Sequence, residues 1–261
     1  MIDHISFTQI NCMLTCGRKY WFQYVQGIKT PATPSLIRGI VFHKGMEHNF
    51  RQKIETGRDL PIEDVLNAAK KAWGKVLSEQ RTGIDWQDQA PSDVRDQTMR
   101  LIAIYMERQA PFVMPRSVEE EFHVMLPGLD IEVTGRIDLT TVEEIITDYK
   151  TASKPASELE FQDDLQATMY GAWRLTDPAV QHVDVQQHVV REDPKKSEIR
   201  NPQILKTTRT REDVEWSLQH QLVPCVEQIR AGIFPARNGG WQCSKKWCGC
   251  WSICKVRGGA S

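Results

Sequence analysis

The sequence predicts an α/β fold with a helical N-terminal part, a strand-rich centre and a cysteine-bearing tail. Three observations predict it. Apolar residues recur at helical spacing through residues 1–115. The pattern then changes to alternation near residue 117. After Phe234 no period survives, in a run rich in Gly, Cys and Trp that something other than an ordinary core must order.

Residues 6–26 read as helix, with Ser6 or Thr8 as cap and Ile10, Leu14, Tyr20, Phe22 and Tyr24 as bulk. Residues 37–55 form a second helix with Ile40, Phe42 and Met46 inward. Residues 62–81 are amphipathic, with Val65, Leu66, Ala69, Trp73, Val76 and Leu77 on one stripe. Residues 92–110 turn Leu101, Ile104 and Tyr105 to their apolar side. The stretches 117–126 and 130–142 alternate as strands about the turn signal Pro127-Gly128. Residues 144–150 form a third strand after a tight link through Glu143-Glu144, which is poor turn chemistry. Residues 157–176 return to helix and 182–192 to strand. A long helix over 210–232 starts at the capping pair Thr210 and Asp213, and Pro224 should kink it.

The chain of 261 residues suits one large domain or two small ones. We expect a single domain over 1–261: a helical part (1–115), a core (116–210), and a helix with a cysteine cluster (211–261). No apolar run approaches the roughly 18 residues of a membrane span. The start, MIDHISFTQI, lacks the features of a secretory signal. A reducing cytoplasm is therefore expected, where seven cysteines do not read as a disulfide framework and the four crowded into the tail favour metal binding. A net charge of −1 argues against a charge-driven nucleic-acid coat protein. It leaves room for a local basic groove. Lys195, Lys196, Arg200, Lys206, Arg209 and Arg211 stand against one acid, Glu198, and Lys245, Lys246, Lys255 and Arg257 add a basic tail. Either run also reads as a solvated charged loop.

Strand alternation puts Asp148 and Lys150 on one face, with Tyr149 on the other. Arg136, Asp138 and Thr140 likewise share a face. If the strands pair, the two aspartates converge on one hard cation, Mg²⁺ or Mn²⁺. Lys150 then stands where it can orient a nucleophilic water or offset developing charge. The bland alternative is a surface hairpin with an Asp–Lys ion pair. His43 lies on a helix with Glu47 one turn later, and Gln166 and Tyr170 share a helix face at i and i+4. Gly135 sits in a strand interior that would not otherwise want a glycine.

The order C-x-R-x-Y, G-x-x-x-H, G-x-I-D, D-Y-K-T, Q-x-x-x-Y and a terminal cysteine cluster resembles the RecB-like branch of PD-(D/E)XK nucleases. It is most similar to the iron–sulfur members: CRISPR-associated exonucleases, the AddB nuclease domain and phage recombination exonucleases. The resemblance runs from Ser6 to Cys254. It implies a restriction-endonuclease-like core, a mixed central sheet flanked by helices. It further implies that His43, Asp138, Asp148 and the Tyr149 carbonyl bind the divalent metal, and that Lys150 is the catalytic lysine. Gln166 and Tyr170 would position the DNA strand, and Arg18, Tyr20, Arg136 and Thr151 would contact its backbone. The family's usual Cys-Pro is Cys16-Gly17 here.

By the same resemblance Cys16, Cys243, Cys248 and Cys254 hold a [4Fe–4S] cluster, with Trp247 and Trp251 able to shield it. Cys12 competes with Cys16, and Cys250 is surplus. Four thiolates would also make a closed zinc site, though zinc favours tight C-x₂-C pairs that are absent. Cys225 reads as a small core residue. The function expected is a metal-dependent DNA exonuclease working on single strands or ends in recombination, repair or CRISPR adaptation, with protein partners from those processes. The basic 195–211 stretch would guide the strand. Two other readings are an iron–sulfur DNA-binding module that cleaves little, and a zinc-stapled RNA-processing nuclease.

Overall fold

The computed structural model describes residues 2–191, 201–237 and 239–254. In chain order the elements are β1 (His4–Ser6), α1 (Phe7–Thr15), α2 (Gly17–Tyr20, continued by a π turn over Trp21–Val25), α3 (Pro34–Thr56), α4 (Ile62–Glu79) and α5 (Pro91–Arg108). Then follow β2 (Pro115–Met125), β3 (Glu132–Thr141), β4 (Ile146–Ala152), α6 (Glu158–Gln162), α7 (Leu165–Arg174), β5 (His182–Arg191) and β6 (Gln203–Thr210). The last helical stretch is α8 (Arg211–Ser217), a π turn (Leu218–Leu222) and α9 (Val223–Arg230).

The chain forms two compact units. One gathers residues 1–31, 123–135 and 212–261; the other holds 32–122 and 136–211. This grouping joins the two ends of the chain, which the three successive stretches read from sequence do not.

The larger unit carries the central sheet. β3 pairs antiparallel with β4, β4 parallel with β5, and β5 antiparallel with β6, while β2 pairs with β3. The mixed sheet with flanking helices is the α/β architecture the sequence predicts. Beneath β4, α3 and α5 supply Phe42, Phe50 and Tyr105, and the Tyr149 ring stacks on Phe50 at 6.3 Å with an interplanar angle of 6°. Burying Tyr149 downward turns its neighbours Asp148 and Lys150 to the opposite face. α3 starts cleanly because Thr33 caps the Leu36 N–H and Pro34 occupies the first turn. It stops at Gly57, whose φ of 72° a residue with a side chain would resist.

In the smaller unit β1 pairs in parallel with the start of β3, His4 opposite Glu132. Ser6 closes β1 and caps α1 reciprocally with Gln9. Tyr20, Leu129, Leu222, Val226 and their neighbours form its core.

Several expectations change. The helix expected over 6–26 breaks at Cys16, and that over 157–176 breaks at Asp163. Asp164 caps a new helix there by accepting from the Ala167 N–H at 2.8 Å. Pro224 follows a π turn, where the backbone already departs from α geometry. The part of the basic run that is described is not a loop: 203–210 is strand β6. Arg209 is 4% exposed and donates to Thr168, Thr207 and the Asp164 carbonyl, so it braces the sheet rather than offering charge to a ligand. Arg211 donates to the carbonyls of Leu175, Asp177 and Val180 after α7. Lys195, Lys196, Glu198, Arg200, Lys255 and Arg257 lie outside the described residues. Among the described residues no helix is long and apolar enough to cross a membrane.

Candidate active site

The site lies in the larger unit, where the β3–β4 ladder opens. The last paired residues are Leu139 with Thr147. One step further the register puts Asp138 opposite Asp148. The Asp138 carboxylate fills the gap, its Oδ2 accepting the Tyr149 N–H at 2.9 Å. A carboxylate thus sits between two strands, 8% exposed, with Oδ1 still free to face outward.

α3 brings His43 to that oxygen. His43 Nδ1 lies 3.2 Å from Asp138 Oδ1, and Nε2 lies 3.1 Å from the Tyr149 carbonyl oxygen. Both ring nitrogens face acceptors, which a neutral imidazole cannot satisfy with its single N–H. Burial opposes the charge on His43, but Asp138 outweighs it and the pKa is raised. A cation between these donors would replace the proton.

A further donor is Glu119 on β2. One ligand atom each from His43, Glu119 and Asp138 lie within 4.8 Å of one another. Octahedral coordination at Mg²⁺ distances sets neighbouring ligands roughly 3.0 Å apart and opposite ones roughly 4.2 Å, so donors gathered within 4.8 Å need move only a little to share one ion. Glu119 has a φ of 51°, which breaks the alternation of β2 and swings its side chain inward. That side chain is only 7% exposed and meets Arg136 Nε at 2.9 Å. Burial raises the Glu119 pKa, against the lowering effect of Arg136. Sequence reasoning missed this residue, because strict alternation gives no reason to single out one of three consecutive glutamates. The signal present was the run of acids itself, on a strand next to G-R-I-D.

Asp148 is 3% exposed and stands outside that group of donors. Its carboxylate is held by Lys150 Nζ at 2.9 Å and by Gln187 Nε2 at 3.3 Å, from the β5 residue paired with it. Burial pushes the Asp148 pKa up to about 6, with Lys150 opposing and Asp138 reinforcing the rise. Lys150 responds in kind: burial alone would lower its pKa, but Asp148 overcomes this and raises it. The ammonium also donates to Gln166 Oε1 at 3.0 Å, and Gln166 Nε2 donates to the Tyr170 hydroxyl at 2.6 Å. Tyr170 is 3% exposed, packs edge-on against Phe122 and reaches the Arg136 carbonyl at 3.4 Å. Tyr170 therefore acts through Gln166. The structure brings together His43, Asp138, Asp148, Tyr149, Lys150, Gln166 and Tyr170, with Arg136 exposed and Thr151 half-buried beside them.

The family profile of the PD-(D/E)XK nuclease superfamily matches residues 4–255. The chain belongs to the PD-(D/E)XK nuclease superfamily. A crystal structure of a candidate exonuclease from Eubacterium rectale is similar, with a TM-score of 0.54 and 10% identity over 94% of this chain and 87% of that one. At that identity the likeness concerns the fold. The structure of SSO0001 aligns over 96% of each chain at 13% identity with a TM-score of 0.37. No curated protein matches this chain. Members of the superfamily use divalent metal ions, and this nuclease presents an acidic donor set suited to one.

The smaller unit of the nuclease holds the cysteines. Cys16, in extended conformation at the break between α1 and α2, lines one pocket together with Cys243, Cys248, Cys250 and Cys254. The Arg237 N–H points at Cys16 Sγ at 3.3 Å. Cys12 lies near this group but does not line the pocket: its thiol donates to Gln23 Oε1 at 3.4 Å, and burial pushes its pKa up to about 11. Cys225 is a buried core thiol, as expected. Cys250 is 1% exposed and Trp251 lines the pocket, while Trp247 is 53% exposed and lines an adjoining cavity with Cys16, Cys243 and Cys248. Gly17 has a steric reason: a Cβ there would fall 2.8 Å from the Pro235 ring. Arg18 lies over the Trp21 ring at 4.0 Å and lines the cysteine pocket. Tyr20 is 1% exposed and stacks on Phe234. Its ring is core, which leaves no face for the DNA-backbone contact expected of it.

Proposed function

We propose that this nuclease is a divalent-metal-dependent DNA exonuclease of the RecB-like branch that acts on single-stranded DNA or DNA ends and carries a [4Fe–4S] cluster. The observation that supports the catalytic half is the convergence of His43, Asp138 and the Tyr149 carbonyl beside a lysine anchored at both Asp148 and Gln166. We assign His43, Asp138, Asp148 and the Tyr149 carbonyl as metal ligands and add Glu119 to them. Bound there, Mg²⁺ or Mn²⁺ would supply positive charge to a phosphodiester and lower the pKa of a water. The protein's own part is preorganisation. Lys150 keeps an ammonium at the edge of the donor set, where it offsets charge on the attacked phosphate. Gln166 holds that ammonium together with Asp148, and Tyr170 fixes Gln166. Arg136, Thr151 and Arg18 are assigned to the DNA backbone.

Cys16, Cys243, Cys248 and Cys254 are assigned to the cluster. Their spacing favours iron–sulfur over zinc. The tight C-x₂-C pairs that zinc sites favour are absent from the sequence. The cluster's part is structural, tying residues from both chain ends into one unit. Recombination, repair or CRISPR adaptation in the cytoplasm of a prokaryote, or during phage growth, is the setting this reading suits.

The test is end-labelled single-stranded and duplex DNA incubated with anaerobically purified protein, with and without Mn²⁺. Mn²⁺-dependent release of short products from an end supports the reading, and internal cuts or cleavage of RNA alone would replace it.

A further inference from the structure

Two tryptophans of the tail after Phe234 are exposed where burial is the norm. Trp241 is 66% exposed and Trp247 is 53% exposed, with ring centroids 5.5 Å apart and planes at 84°. Both line a cavity of about 240 Å³ with Lys19, Arg237 and Gln242, and Cys16, Cys243 and Cys248 form its inner wall. Among the described residues no carboxylate lines that cavity. Between Phe234 and Cys254 the sequence holds no Asp or Glu, while Arg237, Lys245 and Lys246 lie within it. Lys246 Nζ sits 5.2 Å from the Trp247 ring centre. Each indole thus keeps more than half of its surface open, and the charge around the two has one sign among the described residues.

Exposed aromatic faces framed by cations, without acids, are the chemistry of single-strand binding: bases stack on the rings and phosphates meet the cations. A protein partner is less well matched, since the cavity offers a one-sign rim rather than a mixed polar one. We infer that Trp241 and Trp247 form a stacking platform for single-stranded nucleic acid, with Lys19 and Arg237 contacting its phosphates. The inference rests on the nuclease reading for the kind of strand bound, and it makes the cysteine-ordered tail a substrate-gripping element as well as a structural one.

The experiment measures anisotropy of fluorescein-labelled oligo-dT, and of an abasic oligomer of equal length, on the full-length Lys150→Ala protein without divalent ion. Adding Trp241→Ala or Trp247→Ala should weaken oligo-dT binding roughly tenfold each, with iron content unchanged. The abasic oligomer should bind the Trp-intact protein about as weakly. Trp241→Phe should restore most of the affinity, and it decides the matter if an alanine variant loses iron. Equal binding of oligo-dT by all variants would overturn the platform. So would a change of oligomeric state at unaltered DNA affinity, which would make the surface a protein contact. Mn²⁺-dependent cleavage by the unmodified protein is scored separately. Trp-dependent binding without cleavage would sink the nuclease reading and leave the platform standing.

Discussion

Glu119 and Arg136 form an ion pair at 2.9 Å, with Glu119 carried on a strand residue whose φ is 51°. The carboxylate is nearly buried and the guanidinium is not. The pair keeps a third acid close to His43 and Asp138. Replacing Glu119 should therefore affect the metal and the backbone separately. Glu119→Ala and Glu119→Gly should both weaken Mn²⁺ binding by calorimetry, by roughly tenfold or more. Glu119→Gly should be about 1 kcal/mol more stable than Glu119→Ala, because only glycine adopts that φ without steric cost. Equal Mn²⁺ affinity in both variants and the native protein would remove Glu119 from the ligand set.

The lysine bridge gives a graded prediction. Lys150→Ala should lower cleavage roughly 10²–10³-fold, the loss typical of removing a charge-stabilising donor. Gln166→Ala leaves the ammonium in place but loosens it, and should cost roughly 10- to 100-fold. Single-turnover rates on saturating DNA measure both. A Gln166→Ala loss as large as that of Lys150→Ala would mean that Gln166 itself touches substrate.

His188 sets an acid limit on stability. It is buried beneath the sheet, its Nδ1 accepting from the Tyr105 hydroxyl at 2.7 Å and its Nε2 donating to Gln186 at 3.1 Å. Burial lowers its pKa to about 4 from an ordinary 6.5. Between those values the unfolded chain binds a proton that the folded chain does not, so this contribution is full above pH 6.5 and is lost as pH falls toward 4. The whole loss is up to roughly 3 kcal/mol. Denaturant titrations across that range should show it, and His188→Gln should flatten the slope. An unchanged slope would mean that another group governs acid unfolding.

The cysteines separate by position. Cys248→Ala should lose iron, visible colour and stability together. Cys12→Ala should keep iron, because its thiol faces Gln23 and not the shared pocket. Iron analysis of the two proteins decides it, and loss of iron in Cys12→Ala alone would reverse the assignment of the upstream ligand.

The sequence made much of this architecture legible where chemistry and burial coincide. The three long N-terminal helices and the G-R-I-D and D-Y-K strands show their period because one face is plainly apolar. Strand β6 does not. Its inward positions Leu205, Thr207 and Arg209 include two polar side chains, so alternation of hydrophobicity is invisible and the run reads as a basic loop. β1 is three residues long and too short for any period. The α6–α7 break could have been read from Asp164, an N-cap residue inside an otherwise helical stretch. The β3–β4 turn succeeds in spite of Glu144, whose φ of 64° is strained but whose carboxylate is held by Arg116 and Arg174. Glu119 was hidden for the same reason: a tertiary ion pair maintains a backbone conformation that local propensity argues against.

The most direct test of the central claim compares native protein with Asp138→Asn, measuring Mn²⁺ binding by calorimetry and cleavage of end-labelled single-stranded DNA in the same preparation. The account predicts that native protein binds Mn²⁺ and degrades the strand only in its presence. Asp138→Asn should lose both while still binding DNA. Cleavage by Asp138→Asn at the native rate, or Mn²⁺ binding by Asp138→Asn at the native affinity, would contradict it.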